Sequence, residues 1–291
     1  MGHERPACTD GRAPTAIVFQ QMRTILTFDI SDVAPYINWM YFYFAWGLSG
    51  KPEAEKARLR GDADDMLTRM SAHYKTHAAF GLYDANADGD DILVGGQRIP
   101  MLRQQHPESA DKPCLCLADY VRPLSQGIPD KIGVFAATVD KSMECDYRGD
   151  DYLRMLAQTL ADRLAEATVE RLHEQVRRTL WGYAPDEHLT LSELHAEKFR
   201  GIRPAVGYPS MPDTSMNFVL DSILGFSDIG IRLTASGAMM PHASVSGLMF
   251  AHPEARYFNL GKIDEEQLRD YARRRGVPVE LMRRFLAGSI Q

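Results

Sequence analysis

No apolar run in this 291-residue chain approaches the ~20 residues that a membrane-spanning helix requires. The richest candidate, residues 40–48, is short and crowded with aromatics. The N-terminus is rich in Gly, Pro and charge and lacks the apolar core of a secretory signal. A formal net charge of −6 argues against a general nucleic-acid binder, whose electrostatic footprint is basic. Cysteine is scarce, and Cys8, Cys114, Cys116 and Cys145 show no paired zinc spacing. They read as buried free thiols in a reducing, cytoplasmic setting. Neither a P-loop nor a Gly-x-Gly-x-x-Gly follows an apolar run, which excludes the two common nucleotide cradles. There is no His-Glu-x-x-His, and His188 and His195 are spaced wrongly for two metal ligands on one helical face. No Gly-x-Ser-x-Gly elbow marks a serine hydrolase.

What is present describes a globular chain, 45% hydrophobic and 25% charged, with enough apolar material for a sizeable core. Residues 1–14 are small, polar and aperiodic, and read as a disordered tail; residues 15–291 contain no interdomain linker and read as one domain. Residues 36–46 carry seven aromatics in eleven positions, a costly patch if exposed, so the run is expected to line a core or a ligand pocket. Residues 51–73 read as an amphipathic helix with Met66, Leu67 and Met70 inward. Residues 80–99 read as a hairpin. Within it Asp84, Asn86, Asp88 and Gly89 imitate half of a calcium loop, but the twelfth position is Gly95 instead of a bidentate Glu, so a tight turn is expected. Residues 114–120 and 132–139 read as strands. Residues 150–181 are the clearest element: Leu153, Leu156, Leu160, Leu164, Leu172, Val176 and Leu180 form one helical stripe. On another face Asp162, Glu166, Glu170 and Glu174 form an i, i+4 row of mutually repelling carboxylates. Shorter helices are expected at 189–199, 217–224, 264–275 and 279–286, and strands at 229–233 and 246–252. Helices and strands intersperse without a βαβ rhythm, which gives the α+β class.

The functional signal sits in residues 201–212, Gly-Ile-Arg-Pro-Ala-Val-Gly-Tyr-Pro-Ser-Met-Pro. Three prolines forbid a helix interior and a central strand, and Pro204 holds Arg203 extended. The stretch is a stiff ribbon displaying one guanidinium and one phenol, Arg203 and Tyr208, which suits recognition of a small zwitterion. A proline-rich connection without function is the competing reading.

Together with Trp181-Gly-Tyr-Ala-Pro185, residues 201–209, Ala243-Ser-Val-Ser-Gly247, Phe250-Ala-His-Pro253, Asp162-Arg-Leu-Ala-Glu166 and Leu117-Ala-Asp-Tyr120, this ribbon resembles the activation domain of cobalamin-dependent methionine synthase over residues 26–290. The resemblance implies a C-shaped α+β domain on a bent antiparallel sheet, binding S-adenosylmethionine. It also implies support for reductive methylation of cob(II)alamin carried by a partner methionine synthase chain, with a reduced flavoprotein as electron donor. The cobalt is then the nucleophile, and the chain is an enzyme component without turnover of its own. Matched position by position, Arg203 would grip the ligand carboxylate, and Ala205 and Gly207 would offer backbone groups. Tyr257 and Phe258 would contact the ligand. Tyr208, Glu166, Asp162, His242, Ala243 and Ser244 would face the corrin, whereas Glu170 and Glu174 remain solvated charges. Asp186-Glu-His188 begins a cobalt-ligating pattern but has Leu191 in place of its glycine, consistent with a corrinoid carried elsewhere.

The sequence departs from the family's pattern in several places. Asn38 stands where an acid is common and could pair with the ligand's ammonium. Ser215-Met216 and Ala235-Ser236 replace acidic dipeptide positions, and His242 replaces a small residue. The family's domain usually forms the tail of a longer chain, so this sequence reads as a piece of one, a split subunit, or a relative serving another corrinoid protein. The alternative functions are a non-catalytic docking partner with a weakened pocket and an activator of a different corrinoid methyltransferase.

Overall fold

The computed structural model describes residues 22–107, 109, 111–147 and 149–290; the expected tail at 1–14 and Cys8 lie outside them. The chain opens with β1 (Met22–Asp29) and α1 (Ile30–Val33), followed by α2 (Trp39–Ala45) and α3 (Glu53–Ser71). Three strands come next, β2 (Lys75–Asp88), β3 (Asp91–Val94) and β4 (Gln97–Pro100), then β5 (Asp130–Val139) and the long α4 (Asp151–Gln175). Beyond α4 lie α5 (Leu191–His195), α6 (Met216–Leu224), the two-residue strands β6 (Arg232–Leu233) and β7 (Met239–Met240), β8 (Ser244–Met249), α7 (Glu265–Arg275) and α8 (Val279–Phe285). The principal sheet is antiparallel and curled, ordered β4-β3-β2-β5-β8, with β1 also paired to β2. The expected α+β architecture is the one observed.

The central strands are covered on both faces, which explains why they read as continuous apolar runs. Phe80, Phe135 and Ala137 point to a core shared with Leu156, Leu160 and Leu164 of α4. Their neighbours Ala79, Val134 and Ala136 point to a second core with Leu220 and Leu224 of α6. The predicted stripe therefore forms one helix. Asp150 caps its start by accepting from the Leu153 N–H at 3.0 Å, and the last turn widens into a π-helix at Val176–Leu180.

Several expectations are corrected. The run at 114–120 is not a strand: Cys116 makes one isolated bridge and Leu117–Tyr120 is a 3-10 turn. Asp119 accepts from the Cys116 N–H at 2.8 Å and binds Arg103, so polar anchoring overrides β propensity there. Of the cysteines described, Cys116 alone is buried, with its thiol pushed up to about 12 by burial; Cys114 and Cys145 are partly exposed. The calcium-like residues Asp84–Asp88 lie in β2 itself, with the turn just beyond them. Residues 229–233 yield a 3-10 turn and the short β6. The aromatic run splits: Phe42 is buried, whereas Met40, Tyr41 and Phe44 are 65%, 54% and 71% exposed. A seven-residue helix cannot bury all its faces.

Candidate functional site

The proline-rich ribbon lies against the outer edge of β8. The Ile202 and Phe250 N–H groups exchange hydrogen bonds at 3.0 and 2.9 Å. The Leu248 N–H donates to Pro204 O at 3.1 Å, and the Val206 N–H to Ser246 O at 2.9 Å. Extended backbone alternates, so residues 202, 204 and 206 spend their polar groups on β8, while 203 and 205 turn the opposite way. The Arg203 N–H accordingly donates to the Tyr257 hydroxyl at 3.0 Å. Ribbon and sheet approach too closely for any side chain at Gly247. A Cβ there would sit 2.2 Å from Pro204 O and 2.9 Å from Ala205 Cα. Gly247→Ala is expected to push the ribbon off β8 at a cost of about 1–3 kcal/mol. The lowered melting temperature should come with weaker ligand binding, both measurable by thermal shift with and without ligand.

Behind the ribbon, the Arg203 side chain is only 14% exposed, as is Glu170 of α4, and the two form an ion pair. Arg203 Nη1 donates to His173 Nδ1 at 3.2 Å. A guanidinium can only donate, so His173 carries its proton on Nε2, which donates to the Tyr183 hydroxyl at 3.2 Å. Burial, reinforced by Arg203 and Arg177, holds His173 well below its ordinary pKa and therefore neutral. Burial opposes the Arg203 charge, but Tyr257, Glu170 and Glu166 outweigh it and keep the guanidinium protonated. Burial also pushes Glu170 upward against the pull of Arg203. Phe199 sits between two guanidiniums, with Arg177 at 4.5 Å and Arg203 at 5.3 Å from its ring centre. Arg177 is fully buried and bound by both oxygens of Glu187 at 2.6–2.9 Å.

These groups back a cavity of about 600 Å³, within the range typical of small-molecule sites. Its walls include Asn38, Glu166, Glu170, Arg203, Ala205, Tyr208, Tyr257 and Phe258. Of the sequence-predicted ligand residues, Arg203, Ala205, Tyr257, Phe258 and Asn38 are thus brought together. Gly207 is not on this wall. Its φ of 88° makes a turn, and its N–H donates to Met211 O at 2.8 Å. Asn38 Oδ1 accepts from the Met40 N–H at 3.2 Å and caps α2. At the mouth, half-exposed Tyr208 donates to Glu166 Oε1 at 2.5 Å, and burial together with Glu166 raises its phenol pKa.

The remaining corrin-facing candidates sit apart from the cavity walls. Asp162 pairs with exposed His242 at 3.3 Å, Ala243 is buried, and the Ser244 hydroxyl donates to Pro241 O at 2.7 Å. Sequence reasoning left Glu170 and Glu174 as solvated charges; both are largely buried. Glu174 accepts from the Tyr36 hydroxyl at 2.5 Å and pairs with Arg171 and Arg178. Sequence reasoning also missed Glu197, which lines the cavity at a φ of 55°. Such a left-handed residue between Ala196 and Lys198 leaves no sequence mark. Among the described residues, no group of three His, Cys, Asp or Glu could hold a metal ion, and no helix is long and apolar enough to cross a membrane.

The curled sheet, the long buttressing helix and an arginine-anchored ribbon facing carboxylates define an α+β domain with a charge-lined cavity of small-molecule size. A family model described as vitamin B12 dependent methionine synthase, activation domain, matches residues 29–276. The crystal structure of the MetH reactivation domain bound to AdoHcy superposes with a TM-score of 0.87 at 37% identity, covering 92% of this chain and 90% of that one. The chain belongs to the vitamin B12-dependent methionine synthase activation-domain family.

Proposed function

We propose that this chain binds S-adenosylmethionine in the Arg203 cavity and presents its sulfonium methyl to cobalamin carried by a partner methionine synthase chain. The observation that carries this reading is the buried Arg203, held on the cavity wall by Glu170, His173 and Phe199. The relative bound to AdoHcy, S-adenosylmethionine without its methyl group, supports it. Cobalamin on the partner, once reduced by an electron from a reduced flavoprotein, would supply the nucleophile for the methyl group, with the bonding electron pair staying on sulfur.

The chain's own residues bind and orient. Arg203 directs its remaining N–H groups at the ligand carboxylate, with the planar fork that suits such an anion. The Ala205 N–H, turned away from β8, offers a donor along the ribbon, while Tyr257 and Phe258 form the flank. Gly207 serves through its turn, which aims Tyr208 outward. Tyr208 and Glu166 form the rim that meets the corrin, with Asp162 and His242 further out, Ser244 beside them, and Ala243 shaping their loop from beneath. Holding the ligand in one orientation would be this chain's catalytic contribution, because no protein nucleophile is required.

In this reading the chain is cytoplasmic, residues 22–290 act as one folded unit, and no turnover occurs without the partner. The test combines the purified chain, a cob(II)alamin-loaded partner, reduced flavoprotein and S-adenosylmethionine, with the cobalamin absorption spectrum followed. Methylation should require all four. Docking without methylation would favour the non-catalytic role, and methylation of a different corrinoid protein alone would favour the third reading.

A further inference from the structure

Among the described residues two histidines pair with carboxylates, His77 with Asp140 and His242 with Asp162. The second ring nitrogen of His77 meets the Thr27 hydroxyl at 3.2 Å. His242 differs: Nδ1 faces Asp162 Oδ1 at 3.3 Å, and no described residue meets Nε2. An ionised carboxylate only accepts, so Nδ1 carries the proton and Nε2 keeps its lone pair. With the side chain 88% exposed, that lone pair is open to solvent. The turn that carries it is fixed. The Ser244 N–H donates to His242 O at 2.7 Å, and the Ser244 hydroxyl to Pro241 O at 2.7 Å. The same hydroxyl lies 2.8 Å from the Thr138 hydroxyl of β5, and Ala243 is buried beneath. We propose that His242, oriented by Asp162, is an axial ligand through Nε2 to the oxidised cobalt of the partner's corrinoid. The inference rests on the reading that this rim meets a corrin, and adds the atom that touches its metal.

A histidine whose other nitrogen donates to a carboxylate is the arrangement by which proteins orient metal-binding imidazoles and raise their basicity. Stability explains the pair poorly, because an exposed ion pair contributes little. A resident ion explains it no better. A protein-held zinc takes three or four protein ligands, and no group of three His, Cys, Asp or Glu among the described residues could supply them. A corrin already surrounds the equator of its metal, so a single imidazole suffices at the axial position. Asp162 stands one turn before Glu166 on α4, about 5–6 Å away, which sets the imidazole beside the rim already assigned to the corrin. In the bond, the Nε2 lone pair goes to cobalt as the water in that position leaves; no electron or proton moves. A cobalt reduced until it is itself a nucleophile no longer accepts an axial pair. The bond is thus confined to the oxidised form and leaves methyl transfer open.

Aquacobalamin, whose axial water exchanges for imidazole with a shift in visible absorption, is the probe for the purified chain. Titration should give a saturable shift from a single site. His242→Ala should lower the affinity by about tenfold or more, and Asp162→Asn by roughly tenfold, the usual cost of losing an orienting partner. Circular dichroism checks that both variants fold; His242→Gln, similar in shape but without an imidazole, replaces His242→Ala if it does not. No shift with the parent, or a shift that loss of the imidazole leaves unchanged, would overturn the inference. An Asp162→Asn variant as tight as the parent would overturn the orienting role of Asp162. Calorimetry with S-adenosylhomocysteine on the same preparations separates the two readings. A parent that binds it but leaves aquacobalamin unshifted loses this inference alone; a parent that binds neither loses the ligand reading as well.

Discussion

Arg203→Ala lowers the affinity of the purified chain for S-adenosylhomocysteine roughly 10- to 150-fold, the range set by losing a charge-assisted hydrogen bond of about 1.5–3 kcal/mol. Isothermal titration calorimetry measures it. The size follows from burial, because Arg203 meets its partners with little water to screen them. Truncation also strands Glu170 as a buried carboxylate without its counter-ion, so a lower melting temperature accompanies the loss. Arg203→Lys separates the two effects. It keeps a cation for Glu170 but loses the fork, so stability should recover more than affinity. Unchanged affinity in both variants would show that the carboxylate does not bind here.

The largest expected effect on stability comes from Arg177→Met. Removing one member of a buried ion pair leaves the other uncompensated, typically costing about 3–5 kcal/mol. For a chain of this size that is a drop in melting temperature on the order of 10 °C. Arg177 also lies over Phe199, which backs Arg203, so the variant should bind ligand less well even where it remains folded. The double variant Arg177→Met/Glu187→Leu should recover most of the lost stability, since paired apolar replacement of a buried ion pair is often neutral. Thermal unfolding of the parent, both single variants and the double variant decides the matter; a double variant no more stable than Arg177→Met would contradict it.

The sequence made α4 legible because its apolar stripe repeats over seven turns, far longer than chance alignment sustains. The ribbon was legible for the opposite reason: prolines and a glycine exclude everything except extended chain and turns. Its neighbour was not. That residues 202–206 form hydrogen bonds with β8 depends on the absence of a side chain at Gly247, forty residues away, and no local pattern announces such a contact. The row of carboxylates on α4 shows the same limit. Glu166, Glu170 and Glu174 are chemically identical at identical spacing, so periodicity could not rank them. What distinguishes Glu170 is an arginine 33 residues further on, brought to it by the fold. The sequence pattern sets Asn38 against the acid it replaces, whereas its task in the structure is local, capping the helix that carries the exposed Met40, Tyr41 and Phe44. Residues 114–120 have the hydrophobicity of a strand, but Arg103, whose ties to Asp90 and Asp119 shape the turn, lies outside that run and leaves no mark in it.

The central claim is that the cavity bounded by α4, the ribbon and Tyr257 is the ligand site. A crystal structure of this chain with S-adenosylhomocysteine tests it most directly. The predicted result places the ligand carboxylate on Arg203 and its sulfur toward Tyr208. Ligand density outside this cavity, or an empty cavity at saturating ligand, would contradict the account.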